Sequence, residues 1–503
     1  MFWNWLGVGA GLFTGILLSP YMIRKLGPEG YGLWALSFAL VEYYTFLDLG
    51  FRSATVKYVA HHFALQEWLQ TNEIINTILV YSGIVSGFLF VLTVLASGYL
   101  KYFFKMTPEY ERSFQLLIIL MSISWCLGFV FNTFGACLEA IQRFDLYTKV
   151  NVSTTVLRAG GTAIILYLGY GLVGIGAWTV CIQCLGYALY FVSFRKAVPA
   201  SEISPRFASL ATLRRMGSFG IHTFIGNISQ MALSQSPALL IGHYLPAKFV
   251  GFYNLPTRLI QYTGDAVGRI GIITNASAAE IQARGDSHVL SELAIYTNRY
   301  CVTLFMPLAI ALWVFGDRVF RVWVPSVAQS TAPLLPILLG GYMIAVVGQF
   351  SSGMLLQGMG RHQRYSRALL VEAIVVAGSL VYVIPRYGIM GAAWVVAVCM
   401  VLDRGFFAPW LVSREMGFSF LHFMNSIYTV PTLVGIPVAA LAWWLRITIL
   451  PGNNLFQLAA MGAIVAASYL GLAFFFCLPR EHRALLGGWL GRRIPFLKSV
   501  GAH

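Results

Sequence analysis

Arg258, Asp265 and Arg269 are spaced by seven and four residues within one long apolar run. At ~100° per residue on a helix they fall within about 40° of one another and form a single stripe, with Tyr262 close to it. The stripe is about 16 Å long, 11 steps of ~1.5 Å. Arginine keeps its charge and grips phosphate with two parallel hydrogen bonds, so a cationic, aromatic-flanked stripe suits an anionic diphosphate beside a stacked sugar. The plainer alternative is an ion pair between Asp265 and Arg269, with Arg258 reaching to the membrane interface.

Other ionisable residues lie in similar surroundings. Asp48 and Arg52 are four apart and could pair as a lock or gate, or could touch substrate. Glu42 lies deeper in the same run, roughly 120° from Asp48. It has no evident local partner, so it is a candidate for proton or cation coupling, or a protonated acid hydrogen-bonded between helices. Arg158 is a lone deep cation, and Glu372, Asp403 and Arg404 are comparable. Arg24 and Lys25 directly follow the first apolar run, at a cavity mouth or as interfacial anchors. His222 reads as an interhelical hydrogen-bonding histidine rather than a proton relay.

No catalytic constellation is present, and no metal or cofactor site is expected. Cys181 and Cys184 fall inside an apolar run with no second Cys/His pair, so they read as small apolar residues rather than a redox or zinc motif. His61 and His62 have no ligand partners. The Asn-x-Ser matches at Asn151, Asn227 and Asn275 lie in or at apolar runs and are not glycosylation sites. There is no glycine-rich nucleotide loop ending in Lys-Ser/Thr.

These side chains need elements to place them, and composition indicates which. The chain is 58% hydrophobic and 11% charged, against about 25% charged for a soluble domain. About 20 apolar residues cross a hydrocarbon core roughly 30 Å thick as a helix. More than ten such runs in series cannot share one soluble core. They are too long and too uniformly apolar for barrel strands, so the fold class is an all-α membrane protein. Fourteen spans are expected, at 2–21, 31–54, 74–98, 114–138, 150–168, 172–194, 219–242, 251–275, 296–315, 332–357, 368–385, 388–412, 423–447 and 455–478. The first begins almost at Met1 without a basic segment, so no cleavable signal peptide is expected.

The net charge of +15 would suggest nucleic acid in a soluble protein. Here the cations cluster in short loops, as the positive-inside bias requires. With both termini cytoplasmic, 19 Lys/Arg fall on the cytoplasmic side, 10 on the other and five at or within spans. Arg480, Arg483, Arg492, Arg493 and Lys498 in the tail favour the same side. Arg24 and Lys25 alone argue the reverse.

The chain also repeats. Lys25–Trp34 is echoed by Tyr244–Tyr253, Tyr44-Thr45 by Tyr262-Thr263, and Arg143, Tyr147 and Lys149 by Arg361, Tyr365 and Arg367. Gly171–Trp178 is echoed by Gly388–Trp394. The nearly constant offset, about 218 residues, equals six spans, so the halves insert in the same orientation. Such a parallel repeat suggests alternating access with substrate between two lobes. The expected organisation is a six-helix lobe at 1–197, a cytoplasmic linker at 198–217, a second lobe at 218–413, two extra spans within 414–480 and a basic tail at 481–503.

Leu17-Leu18-Ser19-Pro20-Tyr21, Arg24 through Trp34, Leu47-Asp48-Leu49-Gly50, Lys57-Tyr58-Val59-Ala60 and Gln142-Arg143-Phe144 resemble the polysaccharide-transporter family. These are the Wzx-type O-antigen and exopolysaccharide flippases of the multidrug/oligosaccharidyl-lipid/polysaccharide (MOP) superfamily. The resemblance implies a two-lobe fold like that of the MATE (multidrug and toxic compound extrusion) exporters. It also implies translocation of undecaprenyl-diphosphate-linked oligosaccharide across the bacterial inner membrane. The partners would then be that lipid-linked oligosaccharide, membrane lipids and the polysaccharide polymerase or export machinery. Two alternatives stand beside it: a cation-coupled multidrug exporter of the same superfamily, favoured by unpaired acidic residues, and an integral-membrane polymerase, disfavoured by the lack of a long outward loop.

Overall fold

A computed structural model describes the backbone of residues 2–361, 363–448 and 454–484, and their side chains except at 2–14, 218–223 and 265–266. The helices in chain order are α1 (Phe2–Glu42), α2 (Phe51–Ala64), α3 (Trp68–Ser97), α4 (Leu100–Phe103), α5 (Pro108–Ala140), α6 (Phe144–Tyr167), α7 (Gly171–Ala197), α8 (Leu210–Tyr244), α9 (Lys248–Arg284), α10 (Ser287–Trp323), α11 (Ala328–Thr331), α12 (Leu334–Val347), α13 (Gly353–Gly358), α14 (Gln363–Met400), α15 (Ala408–Met416), α16 (Phe420–Thr448) and α17 (Leu455–Phe476). No strand occurs among the described residues. Eight helical stretches among them are long and apolar enough to cross a bilayer.

Each of the fourteen expected spans overlaps helix, but fewer stretches meet the apolarity a crossing needs and several boundaries move. The second span, expected at 31–54, is broken. α1 ends at Glu42, a tight 3-10 segment covers Tyr43–Asp48, and α2 restarts at Phe51. Between them Leu49 (φ 47°) and Gly50 (φ 77°) are left-handed. A leucine there costs about 1–2 kcal/mol, and hydrogen bonds brace the turn on both sides. Tyr81 donates to the Leu47 carbonyl at 2.7 Å, and the Asp48 carboxylate accepts the Arg52 N–H at 3.3 Å. At the other end of the same stretch, α1 kinks at Gly27 (φ 74°) just before Pro28. Only glycine adopts that angle freely, and proline removes a helical donor.

The seventh span starts earlier than expected, at Leu210, capped by Ser209, whose hydroxyl accepts the Thr212 N–H. The segment before it is not slack. Two buried asparagines of α3 bind it as a sheet partner would: Asn72 accepts the Glu202 N–H at 3.0 Å and Asn76 accepts that of Ser204 at 2.9 Å. The Asn76 amide also donates to the Glu202 carbonyl at 2.7 Å.

The repeat has a counterpart in the backbone. Gln142 (φ 61°) and Gly360 (φ 70°), 218 positions apart, are both left-handed, as are Gly171 (φ 58°) and Gly388 (φ 60°), 217 apart. Three residues on, Gly174 and Gly391 sit in matching cradles. An added Cβ would meet Tyr170 Cβ at 2.4 Å in one and Tyr387 Cβ at 2.7 Å in the other.

By contact the chain separates into two compact units, Met1–Asn254 with Leu369–Ala392, and Leu255–Ala368 with Ala393–His503. The first cut therefore falls later than the linker. α8 stays with the first helices because its C-terminal end is tied to them. A Cβ on Gly32 would lie 2.0 Å from the Ala247 carbonyl oxygen, and one on Gly251 would lie 2.9 Å from Tyr31. These glycines belong to the two echoed motifs, whose backbones touch directly. The 99–107 connection reinforces the closure: Lys105 N–H donates to Gly242 O at 3.1 Å and Ala247 N–H to Lys105 O at 3.0 Å. Glu29 accepts the Thr107 N–H at 2.8 Å.

Candidate functional site

Within the first unit, α1, α2, α3, α5, α6 and α7 and the 3-10 segment enclose a cavity of about 410 Å³. That lies in the ~300–1,000 Å³ range of small-ligand pockets. Four of the sequence-predicted residues meet there: Glu42, Asp48, Arg52 and Arg158. A second cavity of about 450 Å³ lies between the 3-10 segment and α8, and Glu42, Thr45 and Asp48 line both. The broken span is thus a partition between two volumes, which a continuous helix would place differently.

Two expected pairings change. Asp48 and Arg52 do not pair side chain to side chain. The Arg52 guanidinium instead contacts Glu139 at 3.1 Å and donates to the Tyr147 hydroxyl at 3.4 Å. The left-handed turn engages one oxygen of the Asp48 carboxylate, Oδ1, with the Arg52 backbone N–H. Tyr147 stacks on Tyr190 at 5.5 Å and 12°, which fixes the ring facing Arg52. Glu42, expected to lack a local partner, receives a hydrogen bond from the Gln235 amide. That partner comes from α8, nearly two hundred residues later.

Arg158 is half-buried on α6. Its Nη2 donates to the Gln183 Oε1 at 3.3 Å, and its Nε is enclosed without a hydrogen-bond partner among the described residues. Glycine sets its position. A Cβ at Gly161 would lie 1.9 Å from the Trp178 ring, so only glycine lets α6 lie this close to α7. The Trp178 indole N–H then reaches the Leu157 and Arg158 carbonyls at 3.3 Å. Gly128 similarly makes room on α5 for the Tyr187 hydroxyl, 2.3 Å from where its Cβ would be.

Much of the cavity wall carries no charge. Trp125 stacks on Phe129 at 5.2 Å and 26°, Tyr44 meets Trp125 edge-on at 5.3 Å, and Phe129 meets Tyr81 at 6.3 Å. Asn132, Gln183 and Ser124 complete the wall. Sequence reasoning weighed charges and passed over these, as it did Glu139. The signal available was amide side chains and clustered aromatics inside apolar runs.

The other predicted residues lie elsewhere. α9 is unbroken from Lys248 to Arg284, so Arg258 and Arg269 share a face as expected. Arg258 and Tyr262 are half-buried and Arg269 is exposed. None of the three lines either cavity above. The Asp265 and His222 side chains, and the tail from 485 with Arg492, Arg493 and Lys498, lie outside the described residues. Arg24 is exposed, and Lys25 sits over the Tyr167 ring at 5.5 Å. Glu372 is buried.

Asp403 and Arg404 are buried in the second unit, 8% and 6% exposed. They lie on a wide π-type turn, Val401–Phe407, facing another at Gly348–Ser352. A Cβ at Gly348 would lie 2.1 Å from the Arg404 carbonyl oxygen, so the two backbones are in direct contact. Arg404 donates to the Gln349 side chain, and Tyr365 caps the Gly348 carbonyl at 3.1 Å. Such turns leave main-chain groups to be satisfied by side chains, and no sequence pattern announced them.

Comparison with solved structures gives the fold a class. Lipid II flippase MurJ in an inward closed conformation matches 94% of this chain and 98% of its own, with a TM-score of 0.72 at 12% identity. An inward-facing multidrug resistance MATE family transporter of the MOP superfamily matches 80% of this chain and 95% of its own, with a TM-score of 0.69 at 14% identity. The architecture is that of MOP-superfamily transporters. Residues 1–264 match the family described as "Polysaccharide biosynthesis protein", and the chain belongs to that family. A Shigella flexneri protein named "Putative O-antigen transporter" is 21% identical over 82% of this chain and 96% of its own length. The teichuronic acid biosynthesis protein TuaB of Bacillus subtilis (strain 168) is 20% identical over 87% and 85%. The protein is a multi-pass helical membrane protein of a polysaccharide-biosynthesis family, with the fold of MOP-superfamily transporters.

Proposed function

We propose that this protein carries undecaprenyl-diphosphate-linked oligosaccharide from the cytoplasmic to the outer leaflet of a bacterial inner membrane by alternating access, with both termini cytoplasmic. It acts as a transporter and not an enzyme. The observation that carries this reading is that Arg52 and Arg158, inside expected spans, line a polar and aromatic cavity of about 410 Å³. A charge at the bilayer centre costs roughly 2.5–3.5 kcal/mol unless it meets water, a partner or a ligand. Gradient coupling fits Glu42, which lies on the partition between two cavities and changes neighbours if α8 moves. The contact of Gly32 with the 247–251 turn is the candidate gate. The repeat supports lobes at 1–197 and 218–413, and the diphosphate falls to Arg258 and Arg269, with Asp265 and Tyr262 between them. A polysaccharide polymerase or export complex would take the product.

The test is export of surface polysaccharide in cells. Deleting the gene should trap lipid-linked repeat units in the cytoplasmic leaflet, and the Arg258→Ala/Arg269→Ala protein should reach the membrane without restoring export. Normal surface polysaccharide from that well-expressed double variant would reject the assignment of the diphosphate. Unchanged export after gene deletion would reject the flippase reading itself. Altered drug susceptibility of the deletion strain, with export intact, would favour a multidrug exporter.

A further inference from the structure

The cavity of the first unit has the wrong charge for a phosphate trap. Diphosphate recognition concentrates cations, yet Glu42 and Asp48 face the same volume as Arg52 and Arg158. Arg52 is also already bound to Glu139 at 3.1 Å. A diphosphate placed here would meet two carboxylates, one arginine held by a carboxylate and one engaged by an amide.

The wall offers something else. Trp125 and Phe129 form a stacked pair, buttressed by Tyr44 and Tyr81. Both rings are half-buried and line the cavity. Asn132 follows Phe129 by about one helical turn and contributes a neutral amide. The hydrogen bond from Arg158 occupies the Gln183 carbonyl oxygen and leaves its NH2 group to donate. A pyranose has an apolar C–H face and a rim of hydroxyls that both donate and accept. An aromatic platform edged by an amide donor–acceptor, a second amide donor and a carboxylate complements that pattern. The volume suits one or two sugar units and not a whole oligosaccharide.

We infer that this cavity seats a sugar ring of the cargo, its face on Trp125 and Phe129 and its hydroxyls on Asn132, Gln183 and Asp48, while the diphosphate binds elsewhere. The inference rests on the flippase reading and deepens it. Arg158 acts as a positioning residue that orients Gln183.

The test uses the full-length protein in lipid nanodiscs and saturation-transfer NMR, with the methyl glycosides of glucose, galactose, mannose, rhamnose and N-acetylglucosamine as probes. At least one glycoside should bind the wild type. Affinity should fall roughly tenfold in Trp125→Ala, the loss of about one 1.4 kcal/mol contact, and be largely retained in Trp125→Phe. Asn132→Ala provides a second variant that leaves the aromatic ladder intact, and it too should weaken binding. Inorganic pyrophosphate should not displace the glycoside. The inference is overturned if no glycoside binds the wild type, if binding survives in both Trp125→Ala and Asn132→Ala, or if pyrophosphate competes. Gene deletion separates the two readings: loss of export without glycoside binding sinks only the sugar seat, whereas intact export sinks the flippase.

Discussion

The two units treat the charges of their expected spans in opposite ways. In the first, Arg52, Arg158, Glu42 and Asp48 surround open volume, and their partners are spread over α5, α7 and α8. In the second, Asp403 and Arg404 are pressed into a contact between two wide turns, where Gly348 lies against the Arg404 backbone. An open arrangement can exchange partners with a ligand or an ion. A closed one cannot do so without parting two main chains, so it acts as a fixed joint. Ser351 and Ser352 extend that joint to α10, through Thr297 at 3.1 Å and Asn298 at 3.2 Å.

Stability measurements should separate the two regions. The largest loss is expected from Arg404→Ala, which removes a buried cation and leaves the Gln349 side chain without its donor, at about 3 kcal/mol, the upper end for a buried polar group left unsatisfied, read as a lower unfolding midpoint of the purified protein. Gly348→Ala should follow at about 1–3 kcal/mol, the cost of overpacking, since its Cβ has nowhere to go but the Arg404 carbonyl. Arg52→Ala should cost only ~0.2–1 kcal/mol, because its pair with Glu139 is partly exposed. Arg158→Ala should leave the midpoint unchanged or raise it, since it relieves an enclosed Nε that has no hydrogen-bond partner among the described residues, while export falls. If Arg158→Ala destabilised the protein as strongly as Arg404→Ala, the contrast between open and closed charges would collapse.

The glycine contacts also divide by purpose. Gly32 and Gly251 let the two echoed motifs approach closely, Gly32 against the Ala247 backbone and Gly251 against Tyr31. Gly264, Gly268 and Gly271 instead receive Phe350 in the second unit; a Cβ at Gly271 would lie 2.0 Å from the Phe350 carbonyl. Small residues allow close backbone approach where lipid offers no hydrophobic drive for helix association.

The spans were legible because bilayer thickness fixes the length of an apolar helix, and that length can be counted in a sequence. The repeat was legible because its glycines hold backbone angles that few other residues reach, as at Gly171 and Gly388. The candidate charges were legible because a charge stands out in an apolar run. Their partners were not. Arg52 selects Glu139 over Asp48, and Glu42 meets Gln235, because a left-handed turn at Leu49-Gly50 and the close approach of α8 redirect them. The neutral wall of Trp125, Phe129, Asn132 and Gln183 was equally hidden, since aromatics and amides in a span are common until packing gathers them round one volume. Sequence determined which residues must avoid lipid. Tertiary structure decided what each of them faces, because that depends on helix rotation and on contacts between segments far apart in the chain.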